Sequence, residues 1–143
     1  MPYRYVDDAT TADVAFEACG ASLEALLCSA WEATVGLMVE DSQALGSAEY
    51  RRISLENEDP EMLLFDLLGD LLYYKDAEGL LLVLDECTLE AHGDRFIFSA
   101  RAGGEYIDPN RHRLGVDIKA VTLHQFELRK TEEGWKARVV LDT

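Results

Sequence analysis

Apolar and polar residues change period along this chain, and the changes mark out its elements. Val14, Phe16 and Ala18 alternate with Ala15, Glu17 and Cys19, a period of two that predicts a short strand, preceded by another over Pro2 to Asp7. From Ser22 the period lengthens. Leu23, Leu26, Leu27, Ala30, Trp31, Thr34, Val35 and Met38 follow the spacing of one helix face, so an amphipathic helix is expected over Ser22 to Val39 with Ser22 as its N-cap. Tyr50 to Glu56 returns to alternation and reads as a strand. Asp59-Pro60-Glu61 then supplies a cap, a residue that fits the first helical turn and a favourable charge at the positive end of the dipole. The helix it starts runs from Pro60 to Glu78, with an apolar set wide enough for burial on more than one side, and Gly79 ends it.

The remainder reads as strands. Leu80 to Glu90 and Arg95 to Ala102 flank Ala91-His92-Gly93-Asp94 and form an expected hairpin. Asp108-Pro109-Asn110 is a turn. Val116, Ile118, Ala120, Thr122, His124, Phe126 and Leu128 are expected on one face of a long strand, and Trp135, Ala137, Val139 and Leu141 on one face of a last strand after Glu132-Glu133-Gly134. The fold class is therefore α+β, a mostly antiparallel sheet with two helices packed on it, in a single domain covering residues 1–143.

Composition narrows the function. With 143 residues, 48% of them hydrophobic, the chain can bury one proper core. No apolar run reaches membrane-spanning length and Met1-Pro2-Tyr3-Arg4-Tyr5 does not read as a signal peptide, so a soluble cytoplasmic protein is expected. The formal net charge of −15 would repel a nucleic acid and favours a basic protein partner. Cys19, Cys28 and Cys87 are odd in number and widely spaced, which suggests reduced thiols rather than a disulfide framework or zinc knuckle.

Candidate chemistry is sparse. The sequence ends in Asp142-Thr143 on its last strand, so a side-chain carboxylate and the terminal carboxylate stand together; a third carboxylate near them would call for a hard cation such as Ca²⁺, Mg²⁺ or Mn²⁺. By position alone, Asp142 and Thr143 read first as a frayed end, Asp13 as a turn or cap residue, and Lys119 as a solvated strand lysine. His124 is expected to be a hydrogen-bonded core residue, and His92 and His112 surface residues. There is no phosphate-binding glycine loop, HExxH or GxSxG pattern, and hence no catalytic constellation.

Read in order, the motifs resemble the archease family over nearly the whole chain. Thr11-Ala12-Asp13-Val14 is similar to the family's His-Thr-Ala-Asp-Ile-Gly segment. Asp117-Ile118-Lys119-Ala120-Val121-Thr122-Leu123-His124 resembles its Val-Lys-Ala-Ile-Thr-Tyr-His strand, and Trp135-Lys136-Ala137-Arg138-Val139-Val140-Leu141-Asp142-Thr143 its ending. Arg111-His112 and the leucine-rich second helix also fit. The chain departs from the pattern at Thr10 (usually His), Ala15 (Gly), Leu123 (Tyr) and Thr143 (a β-branched apolar residue).

The resemblance implies that Asp13, Asp142 and the Thr143 carboxylate bind one divalent cation, calcium first and magnesium or manganese as alternatives, with Lys119 close by and functionally important. It also implies an activity that is not enzymatic in itself: helping a manganese- and GTP-dependent tRNA-splicing RNA ligase to become guanylylated and to turn over repeatedly. That ligase joins RNA 3′-phosphate or 2′,3′-cyclic phosphate ends to 5′-hydroxyl ends. The main alternative is a metal-binding or chaperone-like interaction module unrelated to RNA. A metal-dependent phosphohydrolase using Asp13 and Asp142 ranks last, for want of a nucleophile or leaving-group acid.

Overall fold

The structure, a computed structural model, describes residues 2–6 and 13–143. Its elements, in order, are β1 (Tyr3–Val6), β2 (Val14–Gly20), α1 (Leu23–Met38), a 3-10 turn (Ser42–Ala44), β3 (Glu49–Asn57), α2 (Pro60–Glu78), β4 (Leu80–His92), β5 (Arg95–Tyr106), β6 (Ala120–Thr131) and β7 (Gly134–Asp142). The α+β class is as expected. The strands divide into two antiparallel sheets rather than one, ordered β1-β2-β7-β6 and β3-β5-β4.

Both helices begin where a side-chain cap dictates. The Ser22 hydroxyl accepts the Ala25 N–H at 3.1 Å and the Asp59 carboxylate accepts the Glu61 N–H at 2.9 Å, satisfying donors that the first turn leaves open. Gly79 closes α2 in the left-handed region, at φ 67°, with its N–H returned to the Lys75 and Tyr74 carbonyls. A side chain there would be strained.

Each helix touches both sheets: α1 packs on β1, β2 and β7 and across to β4, while α2 packs on β6 and on β3, β4 and β5. One core results, joining Phe16, Leu26, Leu27 and Trp31 to Leu63, Leu64, Leu67 and Leu68 and to Phe98 and Val139. Trp31 is buried to 1% and donates its indole N–H to the Leu82 carbonyl at 2.9 Å, so its one polar atom costs nothing to bury.

Two irregularities break the alternation on which strand faces were assigned. In β4, Glu86 is an extra residue between the pairs Asp85–Arg101 and Cys87–Ala100, with φ at 53°. The bulge reverses the parity, so Leu82 and Leu84 stand across from the buried Gly104 and Ala102 but Cys87 and Leu89 stand across from the buried Ala100 and Phe98. In β6 the register slips between Thr122 and Glu127, with Gln125 at φ 53°. The single face expected from Val116 to Leu128 is therefore not formed. Phe126 turns in to meet Phe65 edge-on, with ring centroids 6.0 Å apart, and Leu128 is buried. His124, expected in the core, lies in the irregular stretch and is exposed.

Candidate functional site

The β2–β7 ladder ends on the pair Val14–Leu141, and one residue further along the two strands stand Asp13 and Asp142. On the other side of β7, Ala120 pairs with Asp142, and the Lys119 N–H donates to the Asp142 carbonyl at 2.8 Å. Three neighbouring strands thus bring Asp13, Asp142 and Thr143, and Lys119 to one end of one sheet. Thr10 and Thr11 of the same motif, and Asp7 and Asp8 before it, lie outside the described residues.

The chain ahead of Lys119 is tied down by α2. Lys75, nearly buried, donates its ammonium to the Ile118 carbonyl at 2.6 Å and meets the Asp117 carboxylate at 3.1 Å. Ile118 itself is fully buried. On the next strand, the Thr122 hydroxyl donates to the Val140 carbonyl at 3.1 Å. These contacts fix the backbone from which Lys119 projects, while the Lys119 and Asp142 side chains are exposed and Asp13 is half-buried.

Electrostatics makes the arrangement unusual. Residues directly opposite on antiparallel strands have Cβ atoms roughly 5 Å apart, and like charges in that position repel. Asp13 and Asp142 each stand one residue beyond the last pair of the ladder, Val14–Leu141, with Thr143 adjoining Asp142. Among the described residues no three His, Cys, Asp or Glu side chains gather into a metal site; Asp13 and Asp142 place two side-chain carboxylates at this end of the sheet. Such an all-oxygen anionic set fits a hard divalent cation. A surface basin of about 700 Å³, lined by Arg4, Glu17, Arg129, Trp135 and Lys136, is at the other end of the same sheet, where Gly20 pairs with Trp135. It takes no part in this grouping.

A second polar cluster was not expected. His112, read as a surface residue, is only 9% exposed, and so is Glu105. The two meet at 2.6 Å between Nε2 and Oε1, Arg111 reaches the same oxygen at 2.9 Å, and the Gly46 N–H donates to the other at 3.3 Å. The Asp108 N–H donates to His112 Nδ1 at 2.9 Å. Nδ1 is therefore the acceptor and Nε2 carries the proton given to Glu105. His112 first, then Arg111, hold the Glu105 carboxyl below its ordinary range. Both carboxylate oxygens of Glu105 and both ring nitrogens of His112 have partners, which makes the cluster a structural tie between the loop after β5 and the segment before β3. The turn at Asp108-Pro109-Asn110 was the only hint in the sequence that the next residues fold back on β5.

Comparison with known proteins agrees with the fold and motif order. Residues 3–143 match the model of the archease protein family. The chain is 35% identical over 142 residues to the protein archease of Methanosarcina mazei, covering 98% of this chain and 94% of that one. It is also 35% identical over 143 residues to that of Archaeoglobus fulgidus, covering 99% of both. The solution structure of protein 1598 of Methanobacterium thermoautotrophicum superposes with a TM-score of 0.85 at 32% identity, over 99% of each chain. An archease of Thermotoga maritima, described as a possible chaperone, shares the fold at a TM-score of 0.63 and 23% identity over 96% of each chain. The chain belongs to the archease family.

Proposed function

We propose that this protein is a non-catalytic activator of the GTP- and manganese-dependent RNA ligase of tRNA splicing, and that it acts in the cytoplasm through a divalent cation held at the end of the β1-β2-β7-β6 sheet. The ligands are Asp13, Asp142 and the Thr143 carboxylate, and calcium is the first candidate, followed by magnesium and manganese. The observation that supports the reading is the strand register, which puts Asp13 and Asp142 one residue beyond the pair Val14–Leu141 at one end of the sheet; carboxylates gathered there would suit a hard cation. When bound, the cation supplies positive charge at an otherwise anionic rim. Lys119, exposed on a backbone fixed by Lys75 and Asp142, adds a second positive group for a carboxylate of the ligase or a phosphate of its substrate.

Charge supports a protein partner. At a net −15, the surface complements a basic active-site mouth and repels free RNA. The test is multiple-turnover ligation by the ligase of the same organism, with and without this protein. Turnover that continues past one round only when it is present agrees with the proposal. Equal turnover in both reactions, together with suppression of aggregation of many unrelated clients, would replace it with a chaperone-like module.

A further inference from the structure

Cys28 and Cys87 are 59 positions apart, on α1 and β4, yet their sulfurs approach to 3.0 Å. The meeting depends on the β4 bulge. Were Glu86 paired in regular register with Ala100, the alternation running through Leu82 and Leu84 would bring Glu86 and Thr88 to the helix-facing side and send Cys87 away from α1. A non-glycine residue at φ 53° is an uncommon backbone state, and its result here is a dithiol. The seam is held on both sides of the pair: Glu24 accepts the Leu89 N–H at 3.2 Å, and Trp31 donates to the Leu82 carbonyl. Residues 24, 28 and 31 of α1 thus face 89, 87 and 82 of β4.

We propose that Cys28 and Cys87 are a reversible disulfide-forming site for a peroxide oxidant, and that the bond, once formed, clamps α1 to β4. Closing from 3.0 Å to the bond length of about 2.05 Å is a shift of roughly 1 Å, within the reach of side-chain rotation. Both thiols are half-buried rather than sealed, and a cavity of about 260 Å³ lined by Cys28, Trp31, Glu32 and Val35 opens beside Cys28. Cys28 donates its S–H toward Cys87, which raises the Cys28 thiol and lowers that of Cys87, although burial and the carboxylates of Glu24 and Asp85 oppose the lowering. Cys87 is accordingly the first nucleophile.

Its thiolate attacks one peroxide oxygen, the O–O bond breaks, and the hydroxide released takes a proton and leaves as water. Cys28 then gives up its proton and attacks the sulfenic sulfur; the S–S bond forms, the S–O bond breaks and a second water departs. Two thiols lose two electrons and the peroxide gains them. The site is independent of the carboxylate end of the other sheet.

The experiment is peroxide treatment of the full chain, alkylation of remaining thiols, and mass mapping of unreduced peptides beside a melting curve. The expected result is a peptide joining Cys28 to Cys87 in both wild type and Cys19→Ser, reversed by dithiothreitol, with Tm raised by roughly 5 to 10 °C because a long loop is closed. Cys28→Ser and Cys87→Ser should lose the peptide and the shift together. Thiols that stay alkylatable, sulfinic acid at Cys87 alone, chains linked through Cys19, or a linked form that melts no higher than the reduced one would overturn the proposal.

Discussion

Nε2 of His112 stands 2.6 Å from Oε1 of Glu105 in a site closed to all but a small fraction of solvent. Because the carboxyl is held below its ordinary range, first by His112 and then by Arg111, the unfolded chain binds its proton more tightly than the folded one. The stabilisation is then fully present above the ordinary carboxyl value of about 4.3 and is lost as pH falls through the lowered folded value. Denaturant midpoints measured from pH 6 downward should decline below that point. His112→Ala should lower Tm by several degrees at pH 7 and flatten the acid decline; an unchanged pH profile would show that the pair contributes nothing.

The ends of α2 offer a stability prediction free of any functional assumption. Asp59→Ala removes the acceptor of the Glu61 N–H and should cost about 1 kcal/mol. Gly79→Ala forces a side chain into φ 67° and should cost roughly 1 kcal/mol. Urea titrations of the two variants and their combination should show near-additive losses, since the caps lie at opposite ends of a long helix.

How much of this was legible beforehand depended on whether the signal was local. Asp59-Pro60 and Gly79 carry their own start and stop, and α2 runs from Pro60 to Glu78 as the residues imply. Ser22 likewise marks the start of α1. The division into two sheets was hidden because it depends on which strands pair across long separations, and alternation says nothing about partners. Glu86 and Gln125 defeated the face assignments, since a bulge at a non-glycine residue leaves no compositional trace; His124 was misplaced for that reason. His112 was misread because its burial requires Glu105, on another element, to accept its proton. For Asp13, Asp142 and Lys119, the sequence offered only a family pattern, and the strand register supplies their common end of the sheet.

Binding to RNA gives a negative prediction. With a net charge of −15 and no phosphate-cradling loop, the protein alone should neither ligate RNA nor retain it on a filter at physiological salt. Sub-micromolar affinity in such a titration would contradict the proposal that the partner is a protein.

A Lys119 variant is expected to separate metal binding from activation. An ammonium adds no ligand oxygen, so Lys119→Ala should retain calcium affinity within a few-fold in a calorimetric titration while ligase stimulation falls by an order of magnitude or more. Equal loss of both would make Lys119 a support of the metal site instead of a contact to the ligase. Lys119→Arg should rescue partially, because charge is kept but the donor geometry changes.

The most direct test of the carboxylate site is multiple-turnover ligation stimulated by wild type, Asp13→Ala, Asp142→Ala and a form with residues appended after Thr143, each shown to be folded and each titrated with calcium. Asp142 is exposed and Asp13 half-buried, and neither belongs to the hydrophobic core, so the fold should persist with stability changes within about 1 kcal/mol. The account predicts that all three altered proteins bind calcium weakly and leave the ligase at a single round of turnover. Undiminished stimulation by folded Asp13→Ala and Asp142→Ala proteins would contradict it.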